Sequence, residues 1–130
     1  MFTLEQIHNA HSKVKTGADF PNYVREMKDL GVLCYYAFVQ DGHCEYRGNN
    51  EYLISSEALY PDKVVVNELD KDAFILNLKR HQQGLTDYFT FCEDCARSGV
   101  SKWLMNLEEN VCIYYDKQDV EVHREEISLS

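Results

Sequence analysis

The chain begins with apolar residues at the three- and four-residue spacing of an amphipathic helix. This stripe consists of Leu4, Ile7, His11 and Val14. Thr3 with Gln6 three residues later forms a capping box that begins the helix, and Phe2 can pack onto Ile7. Gly17 is predicted to end it. The first element is therefore a short helix with one apolar face.

A second helix is predicted from Asp19 to Leu30. Proline is tolerated in a first helical turn, as at Pro21, and Gly31 ends the helix. Its apolar stripe consists of Phe20, Tyr23, Val24, Met27 and Leu30. Residues rich in β-formers then alternate with turn signals. The predicted strands are 32–39, 44–48 and 51–55.

The order helix, helix, strand, strand, strand recurs in the second half of the chain. Asp70 can cap a third helix, Gly84 ends it, and Thr86 or Asp87 can begin a fourth. Corresponding residues in the two halves are Asp19 and Asp87, Phe20 and Tyr88, Tyr23 and Phe91, Gly31 and Gly99, Tyr35 and Trp103, Cys44 and Cys112, Tyr46 and Tyr114, Tyr52 and Val120, and Ile54 and Val122. This match predicts an internal duplication.

Each half alone has too little apolar surface for a stable fold, so the halves are expected to share one core. We predict a single domain, 1–130, with halves at about 1–56 and 69–127 and a linker at 57–68. The hairpins are expected to join in one antiparallel sheet, covered by helices and related by a pseudo-two-fold axis. The fold class is α+β. Within the linker, Lys63 to Val66 is predicted to add a short extra strand.

Composition narrows the classes of protein to which the chain can belong. A formal net charge of −9 disfavours binding to nucleic acid, which requires clustered Lys and Arg. Neither an export signal nor an apolar run long enough to cross a membrane is apparent. Five cysteines, an odd number, are typical of reduced thiols. We expect a cytoplasmic protein without a cofactor.

The Cys-x-x-C pair of Cys92 and Cys95 allows three interpretations: core packing, metal binding and redox chemistry. Both cysteines lie on the predicted apolar stripe of their helix, where free cysteine acts as a small hydrophobic residue. Glu93 and Asp94 disfavour a thiolate, and a second ligand pair of the kind that structural zinc requires is not evident. Core packing is favoured, and Cys92 and Cys95 remain the candidate metal ligands.

Other polar residues have structural as well as functional interpretations. His8 and His11 have a spacing that metals can use, but His11 falls on the helix stripe. His81 also falls on a stripe, which favours a partly buried imidazole over a catalytic base. The run 81–88, HQQGLTDY, can hold a ligand, yet it also contains the glycine and caps that join two helices. No catalytic residues are predicted.

Three stretches carry a resemblance to a known family. MFTLEQIHNAHSKVKTGADFPNYVREMKDLGV, HQQGLTDYFTFCEDCARSGVSKW and CIYYD resemble a prophage-associated bacterial family of unknown function, sometimes labelled "phage envelope protein". The resemblance covers nearly the whole chain. It implies a small soluble α+β protein of bacteria and their prophages, with no activity, cofactor or catalytic residue to carry over.

Two hypotheses of function follow. The first is a non-enzymatic protein that acts through protein–protein interaction, with a homodimer as one form, using an uncovered sheet face rich in tyrosine. The second is a binding domain for a small molecule or metal, or a cryptic enzyme. Its pocket would lie between the two halves and be lined by His81, Tyr88 and Cys92.

Overall fold

The computed structural model describes residues 1–15 and 17–127. Thr16 and the last three residues of the predicted domain lie outside this description. The helices are α1 (Leu4–Ser12), α2 (Phe20–Leu30), α3 (Lys71–Gln82) and α4 (Tyr88–Ser98), and a 3-10 turn spans Gly17–Asp19. The strands are β1 (Cys34–Phe38), β2 (Cys44–Arg47), β3 (Leu53–Ser55), β4 (Val100–Asn106), β5 (Val111–Asp116) and β6 (Glu121–Glu126). No helix within the described ranges is long and apolar enough to cross a membrane.

Local capping signals place the helix ends. The capping box of α1 is present, with Thr3 Oγ1 accepting from Gln6 N at 3.2 Å. Asp70 accepts from the backbone of α3, as predicted. Of the two candidates for the start of α4, Thr86 and Asp87, it is Asp87 that accepts from the helix backbone. Gly31 ends α2 with a left-handed φ of 98°, a conformation that glycine adopts without a steric cost.

The first helix differs from its prediction in two respects. It ends at Ser12, before Gly17, which lies in the 3-10 turn. Ala10 is buried at 2% exposure, whereas His11 is exposed. The helix therefore turns its small residue into the core, and the imidazole of His11 lies beside the ring of Tyr23 at a centroid distance of 5.5 Å.

All six strands form one antiparallel sheet in the order β3-β2-β1-β4-β5-β6. The helices lie against one face of it: the rings of Tyr88 and Phe91 pack near Trp103, and Phe74 packs near Tyr114. The predicted α+β class is confirmed. The two halves meet where β1 pairs with β4.

The register of the sheet is the same in both halves when residue n is matched with n + 68, as Gly31 is with Gly99. Tyr35 pairs with Met105 across the junction. The counterparts of these two residues, Trp103 and Ala37, also pair with each other. The outer pairs Tyr35↔Tyr46 and Trp103↔Tyr114 correspond in the same way. A repeated folding unit would produce this register, and the duplication itself stays a prediction.

The correspondence breaks down at the last strand. A register shift between Tyr114 and Tyr115 displaces β6 by one residue. Val122 is buried, but Val120 precedes β6 and is 58% exposed. The match of the two halves therefore does not extend to the pairing of the last strand, because the irregularity changes which residues of β6 lie opposite β5.

The linker does not form the strand predicted at 63–66. Its backbone amides form isolated hydrogen bonds to separate segments of the chain. Lys63 N donates to Gln40 O, and Val66 N donates to Ala96 O. These partners belong to a turn and a helix rather than to a strand edge, so no ladder can form. The linker packs closely here, since a Cβ on Gly99 would lie 2.8 Å from Glu68 O.

Candidate interaction surface

The sheet has a second face, opposite the one on which the helices pack. Side chains alternate between the two faces along each strand. Tyr35, Ala37, Trp103 and Tyr114 are on the helix side, so the residues that alternate with them along their strands point away from the helices. We call this side the open face. It comprises Leu53 and Ser55 of β3, Glu45 and Arg47 of β2, Cys34, Tyr36 and Phe38 of β1, Lys102, Leu104 and Asn106 of β4, Val111, Ile113 and Tyr115 of β5, and Glu121, Arg124 and Glu126 of β6.

The centre of the open face is apolar and aromatic. Tyr36 pairs with Leu104 across the β1–β4 junction, and Leu104 pairs with Ile113. Ile113 keeps only 7% of its surface exposed, although it faces away from the helices. Its neighbours Tyr115 and Leu104 crowd around it and remain half-buried themselves. The centre is therefore a packed platform, whose rings keep part of their surface available to a partner.

Cations lie over the rings of this platform. Lys102 Nζ is 5.3 Å from the centroid of Tyr36 and 5.5 Å from that of Tyr115, and Arg47 Cζ is 5.6 Å from Tyr36. Each distance is within the range of a cation–π interaction. Lys102 also forms a 2.8 Å ion pair with Asp119. Tyr36 thus has one cation from each strand that flanks β1 near its ring.

One corner of the open face carries a second stacked pair. The imidazole of His43 lies 4.5 Å from the ring of Phe38 at an interplanar angle of 9°. His43 Nδ1 lies 2.5 Å from Asp41 Oδ1, and Nε2 lies 3.9 Å from a carboxylate oxygen of Glu45. Burial opposes ionisation of Asp41, but hydrogen bonds from the His43 backbone amide and ring outweigh it and lower the pKa of the carboxyl.

The edges of the sheet are protected against pairing with another strand. β3 at one edge is three residues long, and β6 at the other carries charged side chains at four of its six positions, with Glu121 and Arg124 paired at 2.9 Å. Short or charged edge strands disfavour addition of a further strand. Both edges of the sheet are therefore unfavourable places for a further strand to pair.

The three predicted ligand residues lie on two helices, His81 on α3 and Tyr88 and Cys92 on α4. His81 stacks on Phe91 with centroids 4.5 Å apart, and its Nδ1 lies 3.1 Å from Thr86 O. Burial lowers the pKa of this imidazole. Tyr88 and Cys92 do lie together, because the Tyr88 hydroxyl is within hydrogen-bonding reach of the thiol. A ligand site at these residues stays a prediction.

Two surface clefts lie elsewhere. One, of about 340 Å³, lies between α1 and α2 and is lined by residues that include Lys13, Tyr23 and Glu26. The other, of about 590 Å³, lies where the linker meets α3 and is lined mainly by charged residues. Neither cleft is lined by the predicted ligand residues.

The Cys-x-x-C pair is buried in the core. Cys92 and Cys95 are both 0% exposed. Burial raises the pKa of both thiols, while the hydroxyls of Tyr60 and Tyr88 partly offset the effect at Cys92. The described residues contain no group of three or more His, Cys, Asp and Glu side chains that could hold a metal ion. This placement supports the packing interpretation, and metal binding by the pair stays untested.

The other thiols of the covered face share this environment. Burial raises the pKa of Cys44 to about 11 and that of Cys112 to about 12. Such thiols are protonated at neutral pH, unlike the depressed-pKa thiols that act as nucleophiles.

Sequence reasoning predicted tyrosines on an uncovered face but did not identify the cation–aromatic platform. Lys102 carried no signal of its own, because its position between Tyr36 and Tyr115 depends on the pairing of β1 with β4 and of β4 with β5. The alternating run Tyr36, Ala37, Phe38 contained the only local hint.

Comparison with known proteins identifies the family to which this chain is similar. A family model described as a protein of unknown function, DUF1398, matches residues 8–126, which is nearly the whole chain. No curated protein matches the sequence.

Proposed function

We propose that this chain, which belongs to the DUF1398 family of proteins of unknown function, is a non-enzymatic binding protein that engages a protein partner through its open face. The observation that carries the proposal is the platform of Tyr36, Leu104 and Tyr115 braced by Lys102 and Arg47. The proposed setting is the bacterial cytoplasm, with the prophage association that the sequence resemblance implies.

The composition of the platform supports this role. Tyrosine and arginine are enriched at the energetic centres of protein interfaces, and they bind best when their conformations are set before the partner arrives. The contacts of Lys102 and Arg47 with Tyr36 set the ring in this way. The protected edges of the sheet direct the partner to its face.

The environment of the thiols supports a non-enzymatic role. A catalytic thiol needs a lowered pKa, whereas burial raises the pKa of Cys92 and Cys95. Both side chains fill the core beneath α4.

Photo-crosslinking in the native host tests the proposal. p-Benzoylphenylalanine is placed at position 104 on the open face and, as a matched control for leucine, at position 76 on the outer side of α3, where Leu76 is 59% exposed. We expect a discrete crosslinked protein from position 104 and none from position 76. The crosslinked protein must then bind the purified chain, with a Kd at least tenfold higher for Tyr115→Ala.

Two results would overturn the proposal. One is the absence of a protein adduct at position 104 when the substituted chain is folded by circular dichroism. The other is an adduct whose binding to the purified chain is unchanged by Tyr115→Ala.

A further inference from the structure

We propose that the partner is a second copy of this chain, packed open face to open face about a two-fold axis that runs parallel to the strands. This inference rests on the proposed function and names the occupant of the same surface. In this arrangement β1 of one copy lies over β4 of the other, so that Tyr36 faces Leu104 of the partner subunit.

The open face carries charged residues at defined positions. The strand pairings arrange outward side chains in rows that cross the sheet. Glu45 is in the row of Tyr36, Leu104, Ile113 and Arg124. Arg47 is in the row of Cys34, Asn106, Val111 and Glu126. His43 lies beside Phe38, in the row of Lys102, Tyr115 and Glu121.

In two of these rows the charges on one side of the sheet are opposite in sign to those on the other side. In these rows β2 carries Glu45 and Arg47. In the same rows β6 carries Arg124 and Glu126. A two-fold axis parallel to the strands exchanges these sides while keeping each row in place. Since β1 lies over β4 of the other copy, β2 lies over its β5, one strand spacing of about 4.8 Å from its β6. Glu45 is then offset by that spacing from Arg124 of the partner subunit, and Arg47 from Glu126 of the partner subunit, which these long side chains can span.

Another axis gives the opposite result. A two-fold axis in the plane of the sheet but perpendicular to the strands keeps each strand over its own copy. It would place Glu45 near Glu45 of the partner subunit and Arg124 near Arg124 of the partner subunit. Like charges brought together at an interface are unfavourable. The distribution of charge therefore selects the axis parallel to the strands.

The size of the open face fits a weak dimer. Six strands about 4.8 Å apart span about 24 Å, and five residues at about 3.4 Å each span about 17 Å. The face thus covers roughly 400 Å², so two faces bury roughly 800–1,000 Å² in total, which is at the low end for specific complexes. A dissociation constant in the micromolar range is expected.

Glu45 and Arg124 allow a charge-swap test in which rescue cannot arise within a single copy of the chain. Glu45 and Arg124 lie four strand spacings apart in the sheet order, about 19 Å at about 4.8 Å each. They cannot contact each other within one copy. Any rescue between their substitutions must act between copies.

Sedimentation equilibrium of the purified chain measures the outcome. We expect a monomer–dimer equilibrium with a Kd of micromolar order. Glu45→Arg or Arg124→Glu alone should raise the Kd about tenfold or more, and E45R with R124E together should restore it to within about threefold. Arg80→Glu on the exposed surface of α3 is the control and should leave the Kd unchanged. Circular dichroism verifies that each variant is folded.

The inference is overturned if the chain remains monomeric to about 1 mM, if either single reversal leaves the Kd unchanged, or if the double reversal fails to restore it. The proposed function survives each of these results when position 104 crosslinks to a different protein in the host. It fails separately when position 104 crosslinks to no protein at all.

Discussion

The two faces of the sheet use the same strands for opposite purposes. On the covered face, Tyr35, Ala37 and Trp103 are 8% exposed or less and pack against helices. On the open face, Tyr36 lies between these residues along the chain yet contacts cations instead. The covered face is mainly apolar because the helices shield it from water, whereas the open face mixes charge with aromatic rings and stays compatible with water. A single alternating pattern thus specifies both a core and a surface.

The largest expected difference in stability is between substitutions at two neighbouring residues of β4. Trp103→Ala should lower the free energy of unfolding by about 3–5 kcal/mol, because it removes a large buried ring from beneath α4. Leu104→Ala, the next residue on the open face, should cost less than about 1.5 kcal/mol in dilute solution, because Leu104 is only half-buried. Urea denaturation measures both. Equal losses would contradict the assignment of the two faces.

A smaller difference is expected between thiols of the two faces. Cys95→Ser should cost about 1–3 kcal/mol, because it buries a hydroxyl at a site with 0% exposure. Cys34→Ser on the open face should change stability by less than about 0.5 kcal/mol. A thiol reagent supplies a second measurement, since Cys34 should react in the native state well before Cys92 or Cys95. Faster labelling of Cys95 than of Cys34 would contradict the burial of the pair.

Because the pKa values of the thiols on the covered face are raised, we expect the stability of the fold to depend on pH. In the folded chain the pKa values of Cys44 and Cys112 are raised from 9.0 to about 11 and about 12, respectively. Between pH 9 and these values the unfolded chain has lost protons that the folded chain retains, so stability falls as pH rises. The contribution is fully present below pH 9. Denaturation from pH 7 to 11 should show a plateau and then a decline, which Cys112→Ala should make shallower. A flat profile up to pH 11 would refute this expectation.

The smallest effect concerns the cation–aromatic contacts. Lys102→Met should lower the free energy of unfolding by about 0.5–1 kcal/mol, because the methionine keeps the packing but loses the charge over Tyr36 and Tyr115. The substitution also removes the ion pair with Asp119, but that partner is exposed and such a pair contributes little. Lys79→Met, at an exposed position in the last turn of α3, is the control and should change stability by a few tenths of a kcal/mol. If Lys102→Met lowered the free energy of unfolding no more than Lys79→Met does, the cation–aromatic contacts would not contribute to stability.

Sequence reasoning was most accurate where the signal was local. The capping residues Thr3 and Asp70 act on amides within three residues, so their roles were predictable and are confirmed. For the fourth helix the sequence left Thr86 and Asp87 as alternatives, and Asp87 is the cap. The left-handed glycines Gly31 and Gly99 follow the same logic. Errors arose where distant packing decided the outcome, as in the burial of Ala10 and in the linker that was predicted to form a strand.

The candidate site was predicted only in outline. A tyrosine-bearing open face could be expected from alternation in the strands, but its composition could not. Placing Lys102 over Tyr36 requires the β1–β4 register, which joins residues more than sixty positions apart. His81 and Cys92 were predicted to line one pocket together with Tyr88. In the structure the imidazole of His81 stacks on Phe91, while the thiol of Cys92 meets Tyr60 and Tyr88. Their directions depend on how α3, α4 and the linker pack together.

By itself the sequence determined the helices, the hairpins and the recurrence of one plan in both halves, because caps, turns and periodicity act over a few residues. Only the tertiary structure decided that all four helices lie against the same face and that Glu45 and Arg124 stand in one row at opposite sides of the sheet. Such arrangements depend on contacts between distant segments, and those contacts form only when the whole core is assembled.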